Sequence, residues 1–334
     1  MKIKKWVLIV LGVLVVAVGA FLFINRPVHA QLSAGIIIGE EVMLSSQGTP
    51  LAASLVLPEA EAGSGPRPGV VMITGSGSYT YRDSWTPEGF PIWKVVTEAF
   101  TAKGYAVLLL EKKGVNRSGG HWETQTFQDR AEDAVVGVRY LRSRPDVDPA
   151  RVGVCGHSQG GWIAQLAAAE YPSEVGFVVS LAGPNISVKQ QVIDDQENEW
   201  RCGGMPEDKI RSKVKGLRTR LGWMSAIAKV VKFNSLCRII DYDPEKLDVA
   251  ARIKCPVLAL YGENDNLVLP STNAPLLERG LQRGGNARYK IVIVPQASHG
   301  LSVKPRKCWG SAGGPAKVEF QPLFLETLAA WEPF

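Results

Sequence analysis

The chain has 334 residues, 46% of them hydrophobic and 21% charged, with no low-complexity tract and no internal repeat. That composition excludes a disordered or fibrous protein and fits one large domain carrying an insertion. The formal net charge of +6 is modest and largely confined to one segment, so no nucleic-acid partner is expected.

The chain opens with Lys2, Lys4 and Lys5, followed by a 19-residue uncharged run over 6–24 that closes at Asn25 and Arg26. A bilayer-spanning helix needs about 20 apolar residues, and the apolar part of a cleaved signal about 7 to 15, so the length favours an uncleaved anchor. Val28-His29-Ala30 offers a competing cleavage site, with a small residue last. Either reading sets 1–30 apart as a membrane anchor or signal peptide and puts 31–334, the body, outside the cytoplasm, since the leading lysines stay inside. The predicted location is therefore membrane-anchored facing the periplasm or exterior, or secreted.

Beyond this segment, β-rich runs are predicted near 36–44, 51–57, 70–74, 105–110, 152–156, 177–182, 256–261 and 289–294. The first two are joined by the turn-like Gln47-Gly48-Thr49-Pro50 and are expected to run antiparallel to the rest. From 70 onward the connections are long. Helical patterns over 90–103 and 127–143 mark crossovers between parallel strands. The predicted class is α/β, a mostly parallel eight-stranded sheet flanked by helices. About seventy residues, 184–254, exceed a plain crossover and are expected to form a helical cap over the carboxyl ends of the strands, where open α/β sheets bind ligands. Within it, 209–238 holds nine Lys or Arg and no acidic residue, with Trp223, Met224, Ile227 and Val230 interspersed. A solvated basic helix pair is the ordinary reading; a surface resting on anionic lipid is the sharper one. The Gly- and Pro-rich stretch 302–320 shows no clear period.

Five cysteines are an odd count, so at least one stays unpaired within the monomer. Cys155 and Cys255 lie in or beside apolar runs and read as buried small hydrophobes. Cys202 and Cys237 share the insertion and form the candidate disulfide. No spacing matches a zinc site, and neither metal nor cofactor is expected.

Gly156-His157-Ser158-Gln159-Gly160 is a G-x-S-x-G sequence between a β-prone run and the strongly helical 161–170. Strand, tight turn and helix in that order put Ser158 on an exposed elbow as a nucleophile, and turn the Gln159 N–H toward a developing oxyanion. A serine hydroxyl needs a base. Of four histidines only His299 follows Ser158, on a loop leaving the last strand, and the chain order serine, acid, histidine selects it. His121 lies in an earlier Gly-rich loop, and the His157 side chain is expected to point away. The acid should leave the preceding strand: Asp265 is chosen, with Glu263 as the alternative. The second oxyanion donor should come from Thr74-Gly75-Ser76-Gly77, with the Ser76 N–H assigned and that of Gly77 as the alternative.

Three further stretches stand out beside this elbow. They are Tyr81-Arg82-Asp83 after the Gly-Ser-Gly loop, Glu111 to Gly119, and Arg144-Pro145-Asp146-Val147-Asp148-Pro149 leading into the elbow. With them, residues 36–334 resemble an α/β-hydrolase, nearest to bacterial serine esterases of the branch that includes dienelactone hydrolases and prolyl oligopeptidase catalytic domains. Related esterases commonly have Gly-Ser-Gly-Pro, Asp-Arg-Asp and Asp-x-Arg-Gly-x-Gly-x-Ser. Here the corresponding residues include Ser78, Tyr81, Lys113 and Asn116. The resemblance implies hydrolysis of a small acyl ester through an acyl-enzyme. Two rival readings are an aminopeptidase-like enzyme, in which Asp194, Asp195, Glu197 or Glu199 would receive the substrate amine, and a non-catalytic binding protein on the same fold.

Overall fold

The computed structural model describes residues 36–59, 65–87, 89–232, 234–306, 308 and 318–334. The N-terminal segment, with its anchor or signal reading and His29, lies outside the described residues. Among the described residues no helix is long and apolar enough to cross a membrane.

Among the described residues eight strands form one sheet in the order β1-β2-β4-β3-β5-β6-β7-β8. They are β1 (Glu40–Ser46), β2 (Thr49–Val56), β3 (Arg67–Ile73), β4 (Ala106–Leu110), β5 (Val147–His157), β6 (Val178–Leu181), β7 (Val257–Gly262) and β8 (Tyr289–Val294). Gln47 and Gly48 both adopt positive φ, 52° and 73°, and close β1 onto β2 as a two-residue hairpin. β2 then pairs antiparallel with β4, and every pair from β4 to β8 is parallel. Only β2 therefore opposes the rest; β1, expected to oppose it too, runs with the others, because a hairpin reverses the chain and its two arms cannot share a direction.

The inner strands are apolar on both faces, as in β4, where all five residues are buried, because helices cover the sheet on each side. Helices α1 (Ile92–Ala102), α2 (Phe127–Arg142) and α3 (Gln159–Glu170) follow β3, β4 and β5. Thr126 caps α2 with a reciprocal bond to Asp129. Between β6 and β7 lie α4 (Val188–Cys202), α5 (Glu207–Ala228), α6 (Ser235–Ile239) and α7 (Val249–Arg252); α8 (Pro270–Arg283) and α9 (Pro322–Ala330) complete the chain. α2, α3 and α8 bury their apolar sides on one face of the sheet, α1 and α9 on the other. The segment between β6 and β7 has a small core of its own, in which Ile193, Leu217, Leu221, Cys237 and Ile240 meet.

Cys237 is committed to that core at 4% exposure. Cys202, at the end of α4, forms a disulfide with Cys308 instead of with Cys237, across a sequence separation of 106 and with Cα atoms 5.3 Å apart. The expected pairing fails because the two cysteines of the insertion face different surroundings. The observed bond ties α4 to the stretch that follows His299.

Candidate active site

Ser158 stands between β5 and α3 with φ 56° and ψ −122°, a conformation that a non-glycine residue adopts only under constraint. The surrounding glycines explain how the turn is tolerated. A Cβ on Gly156 would lie 2.0 Å from the Gly160 carbonyl oxygen, one on Gly160 would lie 2.1 Å from the Ile73 oxygen, and one on Gly161 would lie 2.4 Å from Gly183 Cα. The helix can therefore start immediately after Ser158, pressed against β3 and the exit of β6. Gly75 packs beside Ser158, since a Cβ there would sit 4.0 Å from its Oγ.

Asp265 and His299 meet across the exits of β7 and β8. Asp265 is fully buried; its Oδ2 lies 2.8 Å from His299 Nδ1, and its Oδ1 accepts from the backbone N–H groups of Leu267 and Val268 at 2.8 and 3.0 Å. Burial pulls the His299 imidazole toward its neutral form, but the charge and hydrogen bond of Asp265 outweigh it and raise its pKa above the ordinary histidine value. Glu263, the alternative acid, is exposed and accepts instead from the Gln296 N–H at 2.8 Å. Gly262 permits the close approach of the two loops, because a Cβ on it would lie 2.2 Å from the Ser298 carbonyl oxygen.

His157, expected to point away, instead faces the histidine loop. Its Nε2–H donates to the His299 main-chain carbonyl at 3.0 Å, and the two imidazoles lie 4.9 Å apart. Burial, reinforced by the neighbouring His299, lowers the pKa of His157 to about 4, so it remains neutral. A residue read as a bystander thus holds the backbone of His299. The elbow motif itself gave no signal of this, because the contact spans 142 positions.

Ser76, Gly77 and Gln159 line a cavity of about 220 Å³, with Leu236 and Ile239 of α6 on another side. Two buried basic side chains that sequence reasoning passed over brace this region. Lys112 Nζ donates to the carbonyls of Gly75, at 3.0 Å, and of Gly77. Arg130 donates to the Thr74 carbonyl at 2.7 Å and to Gln159 Oε1 at 2.5 Å. Burial drives the Lys112 pKa well down, helped by the nearby Arg130 charge, and brings Arg130 to about 10. Lys112 and Arg130 thus hold the carbonyls of Thr74, Gly75 and Gly77 in the loop 74–77. A sequence signal existed for Arg130: it sits on the apolar stripe of α2, between Phe127 and Ala134, where an arginine needs buried partners.

Beneath this loop, Arg82 pairs with Glu41 at 2.7 Å, and Glu111 accepts from Thr80 and, at 3.1 Å, from Asn116. Burial raises the Glu111 pKa to about 7. The Tyr81-Arg82-Asp83 and Glu111–Asn116 stretches thus supply a buried polar support for the loop. Among the described residues no cluster of His, Cys, Asp or Glu could hold a metal ion.

The sheet order, with Ser158 on a strained elbow after β5 and an Asp–His pair on the exits of β7 and β8, defines an α/β-hydrolase. Residues 93–305 match the family described as serine aminopeptidase, S33 (Hydrolase_4), and the chain belongs to that family. It is 26% identical over 242 residues to esterase EstD of Thermotoga maritima, covering 71% of this chain and 55% of EstD. To the human serine hydrolase BPHL it is 26% identical over 188 residues, covering 53% and 56%. The chain thus spans about half the length of the curated relatives it matches. Among solved structures it shares the fold of Est1E from Butyrivibrio proteoclasticus, seen with ferulic acid, at a TM-score of 0.55 and 17% identity over 86% of this chain and 96% of that one. The Pyrococcus furiosus esterase Pf2001 superposes with a TM-score of 0.55 at 17% identity, over 81% and 89%.

Proposed function

We propose that this hydrolase cleaves carboxylic esters by acyl transfer to water, with Ser158 as nucleophile, His299 as general base and Asp265 as the group that orients it. The observation that carries the reading is the 2.8 Å bond from buried Asp265 to His299 Nδ1, which leaves Nε2 as the nitrogen that accepts a proton. Ser158 Oγ attacks the ester carbonyl while His299 takes its proton, and the N–H groups of Gln159 and Ser76 receive the oxyanion. Collapse breaks the bond to the alkoxy group, which leaves as the alcohol with the proton from His299. Water, deprotonated by His299, then attacks the acyl-enzyme, and the acid and free Ser158 are released. The esterase names of EstD, Est1E and Pf2001 agree with this reading. Ser158→Ala tests it: turnover of an aryl acetate should vanish, and survival of more than a few per cent of it would reject the assignment.

A second reading, toward aminoacyl substrates, has one observation in its favour beside the family's description. Asp195 of α4 is half-buried; desolvation raises its carboxyl to about 6, and it lies within electrostatic range of His299 and Asp265. Gln191 links it to the Leu267 carbonyl, with both bonds at 2.6 Å. Comparing aryl acetate with an aminoacyl anilide, in the parent protein and in Asp195→Asn, separates the two.

The segment 184–254 acts in this proposal as a cap, and 1–30 as the anchor or export signal that keeps the body outside the cytoplasm. The Cys202–Cys308 bond supports an oxidising compartment. Fractionation with carbonate extraction tests the anchor: retention in the membrane pellet is expected, and release of full-length chain would refute it.

A further inference from the structure

Helix α5 buries one side only. Leu217, Leu221 and Ala228 pack into the small core between β6 and β7, Ile210 is buried on the same helix, and among the described residues the opposite side is exposed. Toward the C-terminal end of that open side apolar residues accumulate: Trp223 is 69% exposed, Ile227 49%, and just past the helix Val230 is 86% and Val231 52%. Trp223 and Ile227 recur at a spacing of four and share a helix face, which Arg220 continues one turn earlier and Val230 follows just past the helix end. Lys229 and Lys232 flank it, and the whole span 209–238 contains nine basic residues and no acidic one. A scattered exposed apolar residue needs no explanation, but four large ones together in a stretch with no acidic residue of its own do, with Asp241 on Ser225 and Lys189 as the carboxylate beside the groove. An apolar ridge edged by Lys and Arg is chemically complementary to the interfacial zone of an anionic bilayer, where the indole and aliphatic groups enter the acyl boundary and the cations meet lipid phosphates.

The ridge also adjoins the site. Ala228, Lys229, Lys232 and Arg238 border a groove of about 420 Å³, and Phe127 and Ile239, which border it as well, also line the cavity holding Ser76 and Gln159. We propose that the C-terminal end of α5 is a docking face for an anionic lipid surface, and that the ester substrate is a membrane-resident amphiphile that reaches the cavity along this groove. The substrate half of the proposal rests on the esterase reading above; the docking half does not.

The test uses the full chain reconstituted into vesicles of phosphatidylcholine alone or of phosphatidylcholine mixed equally with phosphatidylglycerol. Three quantities are read: quenching of Trp223 by brominated phosphatidylglycerol, taken as the difference between the parent protein and Trp223→Phe; hydrolysis of a long-chain fluorogenic ester held in the vesicles; and hydrolysis of a soluble aryl acetate. Trp223 should be quenched in the anionic vesicles, and the long-chain ester should turn over faster there. Arg220→Gln should lower that stimulation roughly fivefold, the contribution of one cation near an anionic surface. Trp223→Ser combined with Val230→Ser should remove it while aryl acetate hydrolysis stays unchanged. Absence of lipid-dependent quenching, or stimulation that survives the double variant, overturns the docking face. So does conversion of a detergent-solubilised dimer to monomer by the double variant, since the ridge would then be a contact between two copies. Loss of aryl acetate turnover in the parent protein would count against the esterase reading alone, because quenching still reports on docking.

Discussion

His157 donates a hydrogen bond from Nε2 to the main-chain carbonyl of His299, so the residue next to the elbow serine grips the backbone of the proposed base from across the sheet. The side chain of His299 is held separately by buried Asp265, which leaves its backbone and its ring each fixed by a different partner.

Replacing His157 by Ala should leave the His299 carbonyl without its donor, at a cost of about 1–3 kcal/mol in stability. Turnover should fall at least about tenfold, because a small misplacement of a catalytic group is costly. The linkage has a definite sign. With a folded pKa of about 4, below the ordinary 6.5, His157 contributes stability that is present above pH 6.5 and is lost as the pH falls toward 4. Urea denaturation between pH 4 and 7 should show a steeper acid loss for the parent protein than for the variant.

The raised pKa of His299 sets the activity profile. A base must be neutral to act, so kcat/KM for an aryl ester should rise with pH through a midpoint above 6.5. In Asp265→Asn the charge that raises it is gone; the acid limb should move to lower pH and kcat should fall about 10⁴-fold, as expected when the imidazole tautomer is no longer enforced. A pH–rate profile of both proteins checks this, and an unmoved limb would remove Asp265 from the assignment.

Lys112→Met should act on turnover more than on binding. Lys112 braces the carbonyls of Gly75 and Gly77, and under the proposed mechanism the loop amides lose their aim at the oxyanion without it. A fall in kcat of about 10²-fold with KM nearly unchanged is expected, comparable to losing one oxyanion donor. The rate of labelling by a fluorophosphonate should fall in parallel, since that adduct needs the same amides.

The disulfide should matter to stability. Cys202–Cys308 closes a long loop of separation 106 and joins α4 to the region after His299, so Cys202→Ser should cost roughly 2–4 kcal/mol. Denaturant titration with and without reductant measures it. The parent protein under reductant should match the variant.

Much of the fold was legible because its signals are local. Inner strands buried on both faces read as apolar runs, α2 carries its capping residue Thr126 and its period in eighteen or so consecutive positions, and the elbow glycines announce a turn that no Cβ would allow. The direction of β1 was misread because a turn sequence marks a reversal without saying which arm the sheet will align with the other strands. The pairing of Cys202 was misread because proximity in the chain is a weak guide where one cysteine is held in a core.

By itself the sequence determined the residue types and the order in which they leave the strands: a serine between close-packed glycines, then an aspartate, then a histidine. Only the tertiary structure decided which of two acids meets His299, that His157 turns inward, and that Lys112 and Arg130 brace the loop 74–77. The reason is physical. Turns, caps and periodicity are set by sterics and hydrogen bonds within a few residues, whereas buried charges and imidazoles take their partners from whatever segments the sheet order brings alongside, and that order is a property of the whole core.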